Sequence, residues 1–127
     1  MNDKINNEEQ LLRAVYPENR RPDFWVNGRL SSAALKDPRG LSVNRTGERS
    51  AEEAVEDMKK NFRGSIVSIT MNMCNAVKAY VLYCPSKSNP YHCEIHGSRS
   101  EILLSEIQAR RLAENAQILY FPVIYAG

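Results

Sequence analysis

Both histidines of this chain fall within one short run, Tyr91-His92-Cys93-Glu94-Ile95-His96. Side chains on an extended strand alternate between faces, so His92, Glu94 and His96 share one face at spacings of about 7 Å. Two imidazoles and a carboxylate so arranged suit a divalent metal. They also suit acid and base chemistry with His92 as the catalytic group, because histidine titrates near neutrality. The chain lacks the Cys-x-x-Cys or His-Glu-x-x-His that marks a zinc site. It also lacks the Pro-Cys-x-x-Cys that would complete a zinc-deaminase reading of His-x-Glu. The plainer alternative is a half-buried strand, with Cys93 and Ile95 in the core and three polar groups toward water.

A second concentration of chemistry lies earlier. From Arg13 to Arg49 there are eight basic residues (Arg13, Arg20, Arg21, Arg29, Lys36, Arg39, Arg45, Arg49) against four acidic ones (Glu18, Asp23, Asp37, Glu48), an excess of four in a chain of net charge +2. The acidic run Glu52, Glu53, Glu56 and Asp57 then cancels most of that excess. Arginine offers a planar fork of donors matched to phosphate or carboxylate, and neighbouring hydroxyls can complete such a site. Arg13, Ser31, Ser32 and Arg45 are the candidate ligand-binding residues on this ground. Ser31 or Ser32 is also placed to cap a short Ala33-Ala34-Leu35-Lys36 turn. The alternative is that the serines only cap and that Arg20, Arg21, Arg29 and Arg39 are solvated. No glycine-rich phosphate loop occurs, which argues against a nucleoside-triphosphate enzyme of the usual kinds.

The three cysteines, Cys74, Cys84 and Cys93, are an odd number without the spacing of a disulfide framework, so reduced structural thiols are expected. Cys93 and His92 are strand neighbours that point to opposite faces and cannot form a nucleophile pair. Tyr80, Tyr83, Tyr120, Phe121 and Tyr125 read as core and sheet-surface groups, since no Lys or Arg interleaves them as base stacking would require.

The elements that must position these groups follow from local signals. Residues 1–10 are polar and read as a frayed lead-in or the first turn of a short helix. Leu11 to Tyr16 reads as a strand or the end of a short helix, stopped by Pro17. Residues 17–49, with four prolines or glycines before Leu41 beyond Pro17 itself, show no sustained period and read as a long Arg-rich loop with short elements, held in order by Phe24, Trp25, Leu30, Leu35, Leu41 and Val43. Ser50 and Glu53 form a capping box for a helix over 51–62, with Gly64 beyond it. Ser65 to Thr70 is a β-branched strand. A two-turn helix over 72–78, strands at 80–84 and 91–96, a helix from Ser105 to about Ala116 with Ile107, Leu112, Ala113 and Ala116 inward (Ser98 with Glu101 being the alternative start), and a final strand over 117–124 complete the set. The sum is an α+β fold: a single domain over 1–127, with a mixed sheet of four or five strands and two or three packed helices.

A chain of 127 residues with 43% hydrophobic residues belongs among soluble globular domains, able to bury about two thirds of its unfolded surface. No apolar run approaches the roughly 20 residues of a membrane span, and no charged start leads into an apolar stretch. A cytoplasmic protein without a membrane partner is therefore expected.

Taken together, Arg13 with Pro17, Asn27-Gly28-Arg29-Leu30-Ser31-Ser32-Ala33-Ala34-Leu35-Lys36-Asp37, Leu41-Ser42-Val43-Asn44-Arg45, and Asn89-Pro90-Tyr91-His92-Cys93-Glu94-Ile95-His96-Gly97 resemble a group of small uncharacterised bacterial domains to which no activity attaches. That resemblance implies a bacterial or phage origin. An early-strand arginine followed by Gly-x-x-Ser-Ser is also similar to small ADP-ribosyltransferase-like folds that bind NAD, although their later acidic residue has no clear counterpart. Three functions are consistent with these readings. The first is a domain, a transferase if it is an enzyme, that binds a phosphorylated small molecule (a nucleotide) or a nucleic-acid end through Arg13, Ser31, Ser32, Arg45 and His92. The second is a non-catalytic module whose basic segment meets a protein partner. The third is a metal site on His92, Glu94 and His96.

Overall fold

The computed structural model describes residues 1–122. In chain order the strands are β1 (Gln10–Val15), β2 (Trp25–Val26), β3 (Arg29–Leu30), β4 (Leu41–Arg45), β5 (Ser65–Thr70), β6 (Tyr80–Tyr83), β7 (His92–His96) and β8 (Gln117–Tyr120). Six of them pair in the order β6-β7-β4-β1-β5-β8, and β2 and β3 form a separate hairpin. Every pairing is antiparallel. The main sheet thus has six strands rather than four or five, and it is antiparallel rather than mixed.

Helix positions follow from local capping. Ser50 Oγ accepts from the Glu53 N–H while Glu53 Oε1 accepts from the Ser50 N–H, opening α1 (Ala51–Lys59). Thr70 Oγ1 caps α2 (Met71–Ala76) through the Met73 N–H. Ser105 and Gln108 repeat the reciprocal box at α3 (Glu106–Asn115). Each box satisfies two N–H groups that a helix start would leave without partners. α1 ends before Phe62, which is half exposed, and Ile107 on α3 points outward, 55% exposed, where an inward position was expected. Ala109, Leu112 and Ala113 form the buried stripe of α3 instead.

The segment 17–49 departs most from its reading as loop. Asn27 and Gly28 both adopt positive φ, 51° and 76°, the pattern of the two-residue turn whose twist matches a hairpin, and they join β2 to β3. Short 3-10 turns cover Pro22–Phe24 and Ser32–Leu35. Leu41-Ser42-Val43-Asn44-Arg45 is a full central strand between β7 and β1. In the lead-in, the carbonyls of Asn2 and Lys4 accept from the Arg45 guanidinium. The last strand ends at Tyr120, and the expected extension over 123–124 lies outside the described residues.

The two sheet faces are unequal. On one, Leu11, Val43, Val67, Ile69, Cys93 and Ile95 pack beneath Trp25, Leu35, Leu104 and Leu112, so the hairpin, the 3-10 turns and α3 lie over this side. On the other, α1 sets Ala54, Val55 and Met58 on Leu12 and Ile66. That contact covers the β1 and β5 region and leaves the polar residues of β4 and β7, namely Ser42, Asn44, His92, Glu94 and His96, partly or fully exposed. No helix of the described residues is long and apolar enough to cross a membrane.

Candidate ligand-binding site

β1 and β4 are in register only at Leu11↔Arg45 and Leu12↔Asn44. The Arg45 N–H donates to the Tyr91 carbonyl on the β7 side, and backbone groups alternate in direction along a strand, so the Ser42 carbonyl faces β1. Its donor is a side chain: Arg13 Nη1, at 3.0 Å. The guanidinium therefore stands where a backbone N–H of β1 would otherwise bond. Burial draws the Arg13 pKa below its ordinary value, with Asp37 opposing the fall, and a guanidinium remains charged regardless. Its Nε is buried with no hydrogen-bond partner among the described residues.

Arg13 lines a cleft of about 720 Å³ between α1 and the uncovered part of the sheet. Leu12, Ala14, Ser42, Asn44 and His92 form its floor, Met58 comes from the C-terminal end of α1, Asn61, Phe62 and Arg63 from the turn that follows it, and Tyr16, Arg20, Asp37 and Arg39 make the far rim. Asn89 joins from the loop before β7, its Nδ2 donating to Asn44 Oδ1 at 2.8 Å. A second hollow of about 510 Å³ opens beside the first and shares Arg13, Tyr16, Asp37 and Arg39 with it. Four guanidinium groups thus face one carboxylate. Asp37 is itself engaged, accepting the Arg39 N–H at 2.9 Å with Arg39 Nε at 3.7 Å. No carboxylate among the described residues lies within ion-pair distance of Arg13, Arg20 or Arg63.

At one end of this floor β7 presents its polar face. His96 Nε2 donates to Glu94 Oε1 at 2.9 Å, and His92 Nε2 stands 3.7 Å from Glu94 Oε2. Cys93 and Ile95 point the other way and are fully buried, as alternation requires. The Cys84 N–H donates to the His92 carbonyl, which places Cys84 opposite His92 across the β6–β7 pair and on the same face. Burial and then the Glu94 charge raise the Cys84 thiol pKa, whereas burial pushes Cys74 to about 12 and Cys93, despite Arg45, also to about 12.

Of the residues singled out in the sequence, Arg13 and His92 line the one cleft; Ser31, Ser32 and Arg45 do not. Ser31 Oγ donates to the Asp23 carbonyl, fastening the segment after the hairpin, and Ser32 Oγ donates to Glu106 Oε1 on α3. Ser31 does occupy the N-cap position of the 3-10 turn Ser32–Leu35, without a side-chain capping bond. Arg45 shares the inward face of β4 with Leu41 and Val43 and is 2% exposed. It makes a two-pronged pair with Glu9, at 2.7 and 2.9 Å, and lies over the Tyr83 ring. Burial pushes the Glu9 carboxyl up, but bonds from Arg45 and the Gly47 N–H outweigh it, so its pKa falls below the ordinary value. Elsewhere in the basic segment Arg21 pairs with Asp23, Lys36 with Glu106 and Arg49 with Asp57. The local excess of positive charge is therefore largely internal wiring; of the segment's three basic residues without an ion pair among the described residues, Arg13 and Arg20 line the cleft and Arg29 lies exposed on β3. Arg20, Arg39 and Arg63 are the site residues that sequence reasoning did not single out, because the loop, the β4 approach and the α1–β5 turn that carry them meet only in three dimensions.

No protein-family model matches the chain, and comparison with curated proteins and with solved structures finds no significant match.

Proposed function

We propose that this α+β domain binds a small phosphorylated ligand, a nucleotide or the phosphorylated end of a nucleic acid, in the cleft beneath α1. The observation that carries this reading is four arginines converging on one concavity with a single, already engaged carboxylate. A phosphate bearing up to two negative charges meets that excess, and bidentate N–H···O pairing favours arginine for the task. Arg13 is the anchor, since it lines both hollows and its buried Nε has no partner among the described residues to hold it in place. The volume of about 720 Å³ falls in the range of small-molecule sites, about 300–1,000 Å³. Tyr16, Met58 and Phe62 give the same cleft apolar surface for a base or other flat group. His92, on the floor, is the group placed to hydrogen-bond the ligand and to carry any transfer chemistry. Ser31, Ser32 and Arg45 have no part in this reading, each being engaged elsewhere.

The test is a thermal-shift and calorimetric titration of the full chain with inorganic phosphate, nucleoside mono- to triphosphates, NAD and a 5′-phosphorylated oligonucleotide. A ligand at one hundred times its Kd stabilises the fold by about 2.7 kcal/mol, and the Arg13→Met and Arg63→Met variants lose that stabilisation while remaining folded. If none of these compounds binds, or if binding is unchanged in both variants, the reading fails.

A further inference from the structure

The geometry points to a zinc-type divalent metal site formed by Cys84 Sγ, His92 Nε2 and Glu94 Oε2, at the end of the cleft where His92 lines its floor. One ligand atom from each residue lies within 4.8 Å of the others. The separations from Glu94 Oε2 are 3.7 Å to His92 Nε2 and 4.0 Å to Cys84 Sγ. With metal bonds of about 2.0 Å to N and O and about 2.3 Å to S, donors in a tetrahedral site stand about 3.3–3.6 Å apart. The two separations from Glu94 exceed these by about half an ångström, and that between His92 and Cys84 lies within 4.8 Å, so closing the trio onto an ion needs side-chain movements of up to about 1 Å.

The chemistry of the set selects the ion. A thiolate and an imidazole favour zinc and its neighbours over magnesium or calcium. Thiolate and carboxylate together carry two negative charges, so a bound dication is neutralised where it sits. Three protein donors leave a fourth position open, the form of a site that holds water or a ligand oxygen.

His96, placed in the donor set by the sequence alone, has a different part here. Its Nε2 donates to Glu94 Oε1 at 2.9 Å, fixing that carboxylate with its other oxygen toward the trio, which is how supporting residues commonly orient ligands. Gly40, at φ +105°, makes the arrangement possible, since a Cβ there would stand 3.0 Å from His96 Nε2 and closer still to Glu94 Oε1. The inference deepens the proposed cleft, because a cation at its end adds to the pull of the arginines on a phosphate oxygen. It also assigns His92 Nε2 to the metal, so in the loaded protein that nitrogen moves no proton.

The experiment is a Co²⁺ titration of the reduced, chelator-treated full chain, followed by Zn²⁺ displacement. The expected result is one equivalent of Co²⁺ with a thiolate-to-metal charge-transfer band that Zn²⁺ abolishes. Cys84→Ser removes the band, His92→Gln and Glu94→Gln weaken binding at least tenfold, and His96→Gln weakens it about 10–100-fold while keeping the band. Zn²⁺ also shields Cys84 of the unmodified chain from alkylation, a readout that does not depend on any variant folding. No charge-transfer band in the unmodified chain, or a band that survives Cys84→Ser, overturns the site. Arg13→Met leaves the cobalt spectrum unchanged, so loss of phosphate binding and loss of metal binding are separable.

Discussion

Replacing Arg45 by Met tests whether this arginine serves the fold or a ligand. Its side chain makes four hydrogen bonds: to Glu9 at 2.7 and 2.9 Å, to the Asn2 carbonyl at 2.8 Å and to the Lys4 carbonyl at 3.2 Å. Its side chain is 2% exposed and that of Glu9 is 9% exposed. Methionine fills most of the volume but leaves a buried carboxylate and two carbonyls without their donor. Removing one partner of a buried ion pair costs about 3–5 kcal/mol, a large share of the roughly 5–15 kcal/mol that holds a domain together. The assay is urea unfolding followed by fluorescence of Trp25, the sole tryptophan, which is buried with its Nε1–H on the Tyr16 carbonyl. Adding Glu9→Gln to the variant should restore part of the loss, since the stranded charge is then gone. The pH dependence has a defined sign. Glu9 has a lowered pKa in the folded state, so its contribution is complete above the unfolded value, about 4.3, and is lost as pH falls through the lower folded value. That acid-side loss should be smaller in Arg45→Met. A cost under about 1 kcal/mol, or loss of phosphate binding with stability intact, would refute the assignment of Arg45 to the fold.

Two further outcomes follow from the glycines and thiols. Gly28 and Gly40 both hold positive φ, but a Cβ meets nothing within 4 Å at Gly28 and collides with Glu94 at Gly40. Gly28→Ala should therefore cost only the left-handed strain of about 1–2 kcal/mol in thermal unfolding, whereas Gly40→Ala should cost more and also weaken Co²⁺ binding; equal effects would contradict the packing described. Under native conditions iodoacetamide should label Cys84 and spare Cys74 and Cys93, which are fully buried with pKa values near 12; peptide mapping that finds either of those two labelled first would contradict their placement.

Much of the fold was legible where the signal is local. The Ser50/Glu53 box, the Ser105 cap and the alternation of His92 to His96 each lie within a few residues of chain, and each element appears where those signals put it. β4 was missed although Leu41, Val43 and Arg45 alternate with Ser42 and Asn44, because nearby prolines and glycines suggested loop. Recognising that period would have put Arg45 on the core side with Leu41 and Val43. The Asn27-Gly28 pair was likewise a hairpin signal in plain sight. For the candidate site, Arg13 and His92 share one cleft, but its other arginines come from separated segments that no spacing rule connects. The approach of Cys84 to His92 depends on the β6–β7 register, which an eight-residue connection of mixed composition does not specify.

The short register between β1 and β4 has a mechanical meaning. Two facing pairs of residues, with the Thr46 N–H on the Gln10 carbonyl beyond them, join the half-sheet β6-β7-β4 to the half-sheet β1-β5-β8, and the next link on the other side is the Arg13 side chain on the Ser42 carbonyl. The cleft lies over this seam, with Ser42, Asn44 and His92 on one half and Leu12, Arg13 and Ala14 on the other. A molecule seated there would span both halves at this short seam, and an arginine that turned from Ser42 to grip it would exchange one tie for another.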